Sequence, residues 1–187
     1  MGHSSTTLLV GSCEPFSGKS ALVMGLVEQL RERRLPLRYG KPLATSIEQQ
    51  SADGPLIDDD VRFVGEIFNL PVEALLPSLQ SSTPDPTQAQ LRTGAVVSQV
   101  ESLDSLQQLL GDAEGITLLE AAGSLNEGLL FGLSLPQLAS GLDAPVLLAH
   151  AWDDARSVEP LLQAKALLGE HLAVSYTHLT LPTILLV

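Results

Sequence analysis

Gly11-Ser12-Cys13-Glu14-Pro15-Phe16-Ser17-Gly18-Lys19-Ser20 follows the aliphatic run Thr7-Leu8-Leu9-Val10. It precedes a stretch with apolar residues at Leu22, Val23, Leu26, Val27 and Leu30. A short aliphatic run ending at a glycine reads as a buried strand, and apolar spacings of three and four read as one stripe of a helix. A glycine-containing turn between strand and helix points successive backbone N–H groups inward, and the helix N-terminus adds partial positive charge. Tetrahedral anions fit such a cradle. Gly18 lets the main chain approach, Lys19 reaches the outer phosphates of a nucleotide, and Ser20 offers a hydroxyl to Mg2+. The predicted phosphate-contacting set is Gly11, Ser12, Ser17, Gly18, Lys19 and Ser20. The spacing departs from the ordinary G-x-x-x-x-G-K-S pattern, because Cys13 stands where the first glycine belongs and Gly11 lies further upstream.

Working outward, Pro36 starts a second extended segment, Leu37 to Gly40, which leads into Lys41-Pro42. Strand, loop, helix and strand in this order predict a βαβ unit with parallel strands. Ser46 to Pro55 reads as a loop. Asp58-Asp59-Asp60 precedes a short helix with apolar residues Val61, Phe63, Val64, Ile67 and Phe68. Leu70 to Thr93 carries a weak helical signal at best, whereas Val97 to Leu110 reads as a helix. Gly115 to Glu120 and Ala144 to Ala149 are further core strands. Leu135 to Leu142 is a short helix with Pro136 in its first turn. Asp153 to Leu168 reads as an amphipathic helix interrupted by Pro160. The expected fold is α/β, a three-layer sandwich with a mostly parallel sheet.

The bulk composition agrees. With 187 residues, 44% hydrophobic and 17% charged, the chain can bury a core and is too apolar for disorder. Aromatics are only 4%, so aliphatic side chains must fill that core. The formal net charge is −12, from 10 Lys and Arg against 22 Asp and Glu, which disfavours nucleic acid and anionic membranes as partners. A phosphate loop still works in an acidic chain, because it uses local amides and one lysine. The single cysteine, Cys13, excludes an intramolecular disulfide. With no secretory leader pattern and no long apolar run, the expected location is cytoplasmic.

Four further positions carry candidate chemistry. Lys41, just past the second strand, can lie beside the phosphate loop and stabilise charge on a transferring phosphoryl group. Asp58 and Asp60 can hold Mg2+ through water or orient a substrate, with helix N-capping as the plainer role. Glu120 ends an aliphatic strand, where open parallel sheets bind ligands beyond their carboxyl ends. The predicted metal set is Ser20, Asp58, Asp60 and Glu120, and the predicted catalytic pair is Lys41 and Glu120. Asn126 and Glu127 are weaker candidates. His150, ending the third core strand, can face the same crevice, with a capped surface histidine as the plainer reading.

From Val174 onward the pattern changes. Val174-Ser-Tyr-Thr-His-Leu-Thr-Leu-Pro-Thr183 looks like a translated sequencing adapter rather than the further core strand that the alternation of elements calls for. The expected organisation is one nucleotide-binding domain over 1–173, incomplete at its C-terminal end, and a non-native tail over 174–187. An edge strand is the alternative.

The chain resembles the dethiobiotin synthetase branch of P-loop proteins. More closely, it is similar to the N-terminal domain of cyanobacterial phosphotransacetylase-like proteins, which often carry a DRTGG domain downstream. The resemblance runs from Thr7 to Ala173. It rests on the Gly11–Ser20 loop, Tyr39-Gly-Lys-Pro42, Asp58-Asp-Asp-Val-Arg-Phe63, Leu119-Glu-Ala-Ala-Gly-Ser124 and Asp143-Ala-Pro-Val146. It implies ATP and Mg2+ as cofactors, with the synthetase roles falling on Lys19, Lys41, Asp58 or Asp60, and Glu120. It also implies a small carboxylate or amine substrate and a homodimer. Two departures stand out: the loop is longer by one residue, and a glycine pair after the glutamate is reduced to Ala122-Gly123. The lysine that marks septum-positioning relatives would fall at Cys13, so that class is disfavoured. Three functions follow as expectations: an ATP-binding accessory or regulatory module, an ATP-dependent synthetase, or a degenerate loop acting through protein contacts.

Overall fold

The computed structural model describes residues 6–48, 54–94, 98–111, 114–152 and 154–179. The aliphatic run near the N-terminus forms strand β1 (Thr6–Ser12), and the apolar stripe after the phosphate loop forms helix α1 (Lys19–Glu32). There follow β2 (Leu37–Gly40), β3 (Leu43–Ala44), α2 (Asp59–Phe68), β4 (Leu75–Leu76), β5 (Gln80–Ser81), α3 (Pro84–Thr93) and α4 (Gln99–Leu110). The last elements are β6 (Ile116–Glu120), α5 (Leu135–Leu142), β7 (Val146–Trp152), α6 (Val158–Leu168) and β8 (Leu172–Leu179).

Six strands make one sheet in the order β4-β2-β6-β1-β7-β8, and every pairing in it is parallel. β3 and β5 form a separate two-stranded ladder. Alternation along the central strands then decides which helix each residue meets. Leu9, Leu119, Val146 and Leu148 turn to a core completed by Leu106 and Leu110 of α4, Leu135 and Leu138 of α5, and Ala164 and Leu168 of α6. Val10, Tyr39 and Leu118 turn the other way, onto Val23 and Val27 of α1 and Val61, Val64 and Phe68 of α2. Helices therefore cover both faces, and the expected three layers are present.

Three expectations need correction. Leu70 to Thr93 is more ordered than its polar composition suggests: it holds β4, β5 and α3. Pro84 sits in the first turn of α3, where a missing N–H costs nothing. The helix expected from Asp153 starts at Val158, so Pro160 lies in its first turn and does not interrupt it; Asp153 itself is outside the described residues. His150 is not a surface residue: it is 1% exposed, and neither ring nitrogen has a hydrogen-bond partner. β8 pairs along β7 from Val146↔Leu172 to Trp152↔Leu179.

Candidate functional site

Because β1 lies between β6 and β7, its carboxyl end opens at the middle of the sheet, the place where parallel sheets receive ligands. Gly18, in the left-handed region at φ 80°, caps α1 and turns the chain into the helix. Ser17 is buried and its hydroxyl donates to the Glu14 carbonyl at 2.5 Å, which closes the loop on itself. Phe16 also takes a left-handed backbone, at φ 61°, and its side chain is fully exposed. Cys13 is no reactive thiolate: burial and the neighbouring Glu14 charge push its thiol up to about 11.

A cavity of about 550 Å3 lies over this loop. It gathers Ser17, Gly18, Lys19, Ser20, Lys41, Asp60 and Glu120 from the predicted set. Gly11, Ser12 and Asp58 stand outside it. Gly11 belongs to β1, where a Cβ would collide with Leu135 of α5, so it is a close-packing glycine. Ser12 is buried and its hydroxyl donates to the Gly123 carbonyl at 3.0 Å, tying β1 to the turn after β6. Asp58 is fully buried and caps α2 by accepting from the Asp60 amide at 2.9 Å.

Two buried lysines define the electrostatics. Lys19 Nζ donates to the carbonyls of Ala121 at 2.6 Å and Ala122 at 3.2 Å, and lies 3.0 Å from Glu120 Oε1. That last contact lacks hydrogen-bonding geometry, so Glu120 Oε1 is a buried acceptor without a donor. Glu120 Oε2 accepts from the Tyr39 hydroxyl at 2.5 Å. Lys41 Nζ is held by Thr45 Oγ1 at 2.6 Å, Asp60 Oδ2 at 2.7 Å and Asp58 Oδ2 at 3.1 Å. Burial by itself would lower the Lys41 pKa. The Asp58 charge, the hydrogen bond and charge of Asp60, and the Glu120 charge outweigh it, and the value ends above that of an ordinary lysine.

Sequence reasoning missed Tyr39, Thr45, Ser82 and the wall formed by Pro15 and Phe16. It also underrated Glu127, whose two oxygens accept from the Gly123 amide at 2.9 Å and the Ser82 hydroxyl at 3.3 Å. The signal for Tyr39 was its place two residues before Lys41, on the same side of an extended chain. His150 faces a different cavity, of about 220 Å3, with Nδ1 3.6 Å from Glu14 Oε1.

A profile of the AAA_26 family, described as an AAA domain, matches residues 6–175. The ATP-dependent dethiobiotin synthetase BioD of Pseudomonas paraeruginosa (strain DSM 24068 / PA7) is 28% identical over 159 residues, covering 84% of this chain and 69% of that protein. The protein of the same name from Pseudomonas aeruginosa (strain ATCC 15692) matches to the same extent. Among solved structures, the signal recognition particle receptor FtsY from Elizabethkingia anophelis superposes with a TM-score of 0.52 at 16% identity. That match covers 95% of this chain and 52% of the receptor, so the chain spans about half its length. At such identity the likeness concerns the fold alone: an α/β P-loop arrangement with a mostly parallel sheet. No described helix is long and apolar enough to cross a membrane.

Proposed function

This chain belongs to the AAA_26 family of AAA domains, and on that footing we propose that it binds ATP with Mg2+ over the phosphate loop. One observation carries the reading: Lys19 and Ser20, at the N-terminus of α1, face Lys41, Asp60 and Glu120 across a single cavity. The N–H groups of the first turn of α1 supply donors to phosphate oxygens. Lys19 exchanges one of its carbonyl acceptors for an outer phosphate. Lys41, kept protonated by its carboxylate partners, stands ready to neutralise charge that develops on a transferring phosphoryl group.

The donor set suits Mg2+, a hard cation that takes oxygen ligands and keeps several waters. Glu120 Oε1 is a buried oxygen without a donor, and Ser20 Oγ and Asp60 line the same cavity. When bound, the ion would neutralise phosphate charge and orient the outer phosphates. Asp58 does not join it, because it is spent on Lys41, the α2 cap and the Thr45 and Ser46 amides.

The accessory or regulatory role in a phosphotransacetylase-like protein remains our preferred wider context, supported by the resemblance of the loop and the Tyr39–Pro42 segment. A second reading, ATP-dependent activation of a small carboxylate or amine, is favoured by the similarity to the Pseudomonas synthetases and by Lys41 beside the loop. A homodimer belongs to that second reading. Calorimetric titration of ATP with Mg2+ into wild type and Lys19→Ala tests nucleotide binding. Heat from wild type and at least tenfold weaker binding by the variant are expected. Absence of heat from wild type would overturn both readings. ATP consumption that depends on an added carboxylate or amine, and is lost in Glu120→Gln, would favour the synthetase.

A further inference from the structure

We infer that Tyr39 is a positioning residue of this site: its phenol fixes the Glu120 carboxylate so that a single oxygen, Oε1, is presented to Lys19 and a bound cation. The inference rests on the nucleotide-binding reading above. Tyr39 is fully buried in β2, in register with Leu118 of β6, and Glu120 lies two residues further along that strand on the same face. The parallel ladder thus sets the phenol beside the carboxylate, where its hydroxyl donates to Oε2 at 2.5 Å. The ring itself packs among Val10, Val23, Val61 and Leu118, so its orientation is settled by the core and not by the hydrogen bond.

The phenol must act as the donor. An ionised carboxylate oxygen only accepts, so the hydroxyl proton points to Glu120 Oε2 and keeps that oxygen engaged. The last torsion of a glutamate is soft and broad, so without this contact the carboxylate can turn either oxygen, or both, to Lys19 Nζ. With it, Oε1 alone faces the lysine, and it does so without completing a hydrogen bond. That oxygen, ion-paired with Lys19 at 3.0 Å, is the one a bound cation would share. Tyr39 does not line the cavity and reaches it only through Glu120. Tyr39 and Lys41 alternate onto one side of the chain around the end of β2. The same short segment thus orients a carboxylate with one side chain and delivers an ammonium with the other.

Tyr39→Phe removes only the hydroxyl and keeps the packed ring. In titrations of Mg2+ at fixed ATP, the half-saturating Mg2+ concentration should rise about tenfold, as expected for loss of a charge-assisted hydrogen bond. ATP binding without Mg2+ should change less than the Mg2+ requirement, since the hydroxyl reaches Lys19 only through Glu120. A second readout needs no change at Tyr39. The chain has two tyrosines, Tyr39 and Tyr176, so Tyr176→Phe leaves one 13C-labelled tyrosine Cζ resonance to follow. Mg2+ added with ATP should shift that resonance, because the ion draws on the carboxylate to which the phenol donates. An unchanged Mg2+ requirement in folded Tyr39→Phe, or a Tyr39 resonance indifferent to Mg2+ while ATP binds, would overturn the inference and leave the nucleotide reading standing. Failure of wild type to bind ATP with or without Mg2+ would remove both.

Discussion

Lys19 and Lys41 face one cavity, both buried, yet they are held in different ways. Lys19 leans on two neutral carbonyls and on a carboxylate oxygen that it approaches without a proper hydrogen bond. Lys41 is gripped by a fully buried aspartate, a second aspartate and a threonine hydroxyl. Neutral carbonyl acceptors are exchanged at modest cost, whereas separating a buried ion pair is expensive. On the proposed nucleotide-binding reading, the first lysine can change partners when phosphate arrives, whereas the second stays where the fold puts it.

The largest effect should come from breaking the second arrangement. Asp58→Ala strands the Lys41 ammonium, uncaps α2 and frees the Thr45 and Ser46 amides, and should cost about 3–5 kcal/mol in urea unfolding. The pH dependence follows the raised Lys41 value. A folded pKa above the unfolded one, near 10.4, means that Lys41 contributes stability fully below that pH and loses it as pH rises through the folded value. In Asp58→Ala the largest cause of that raised value is gone, so the alkaline decline should shrink or vanish. Lys19→Met leaves Glu120 without its cation, but Glu120 lines the cavity and keeps the Tyr39 hydrogen bond, so the cost should be less, about 1–3 kcal/mol. A cost equal to that of Asp58→Ala would erase the contrast between the two lysines. Asp60→Asn should be smallest, about 0–1 kcal/mol, since its side chain is 45% exposed. A larger loss would show that Lys41 depends on both aspartates equally.

The sequence makes the Lys19 side of this contrast readable and hides much of the Lys41 side. Gly18-Lys19-Ser20 lies within one strand–turn–helix unit, so local spacing fixes its geometry. Glu120 is readable because a strand end in a parallel sheet is a place with a direction. Asp58 had two readings, capping and metal binding. Its cap is real, but its tie to Lys41 crosses from α2 to the end of β2 and leaves no local pattern. Tyr39 is harder still, since its partner is 81 residues away and is specified only by the β2–β6 register. The segment from Leu70 to Thr93 was illegible for a different reason. Its strands are two residues long, too short to show a period, and α3 is mostly polar. Gly11 carries a packing demand from Leu135 on a distant helix that no loop pattern reveals.

The central place of β1 also bears on how the protein is made. Lys19 leaves the ribosome 102 residues before the Ala121 carbonyl that holds it. At about 5–20 residues per second, the lysine waits roughly 5–20 s for its partner. β7, on the other side of β1, arrives later still. Until β6 and the turn after it have been synthesised, the cavity lacks Glu120, Gly123 and Glu127 and the carbonyl that holds Lys19.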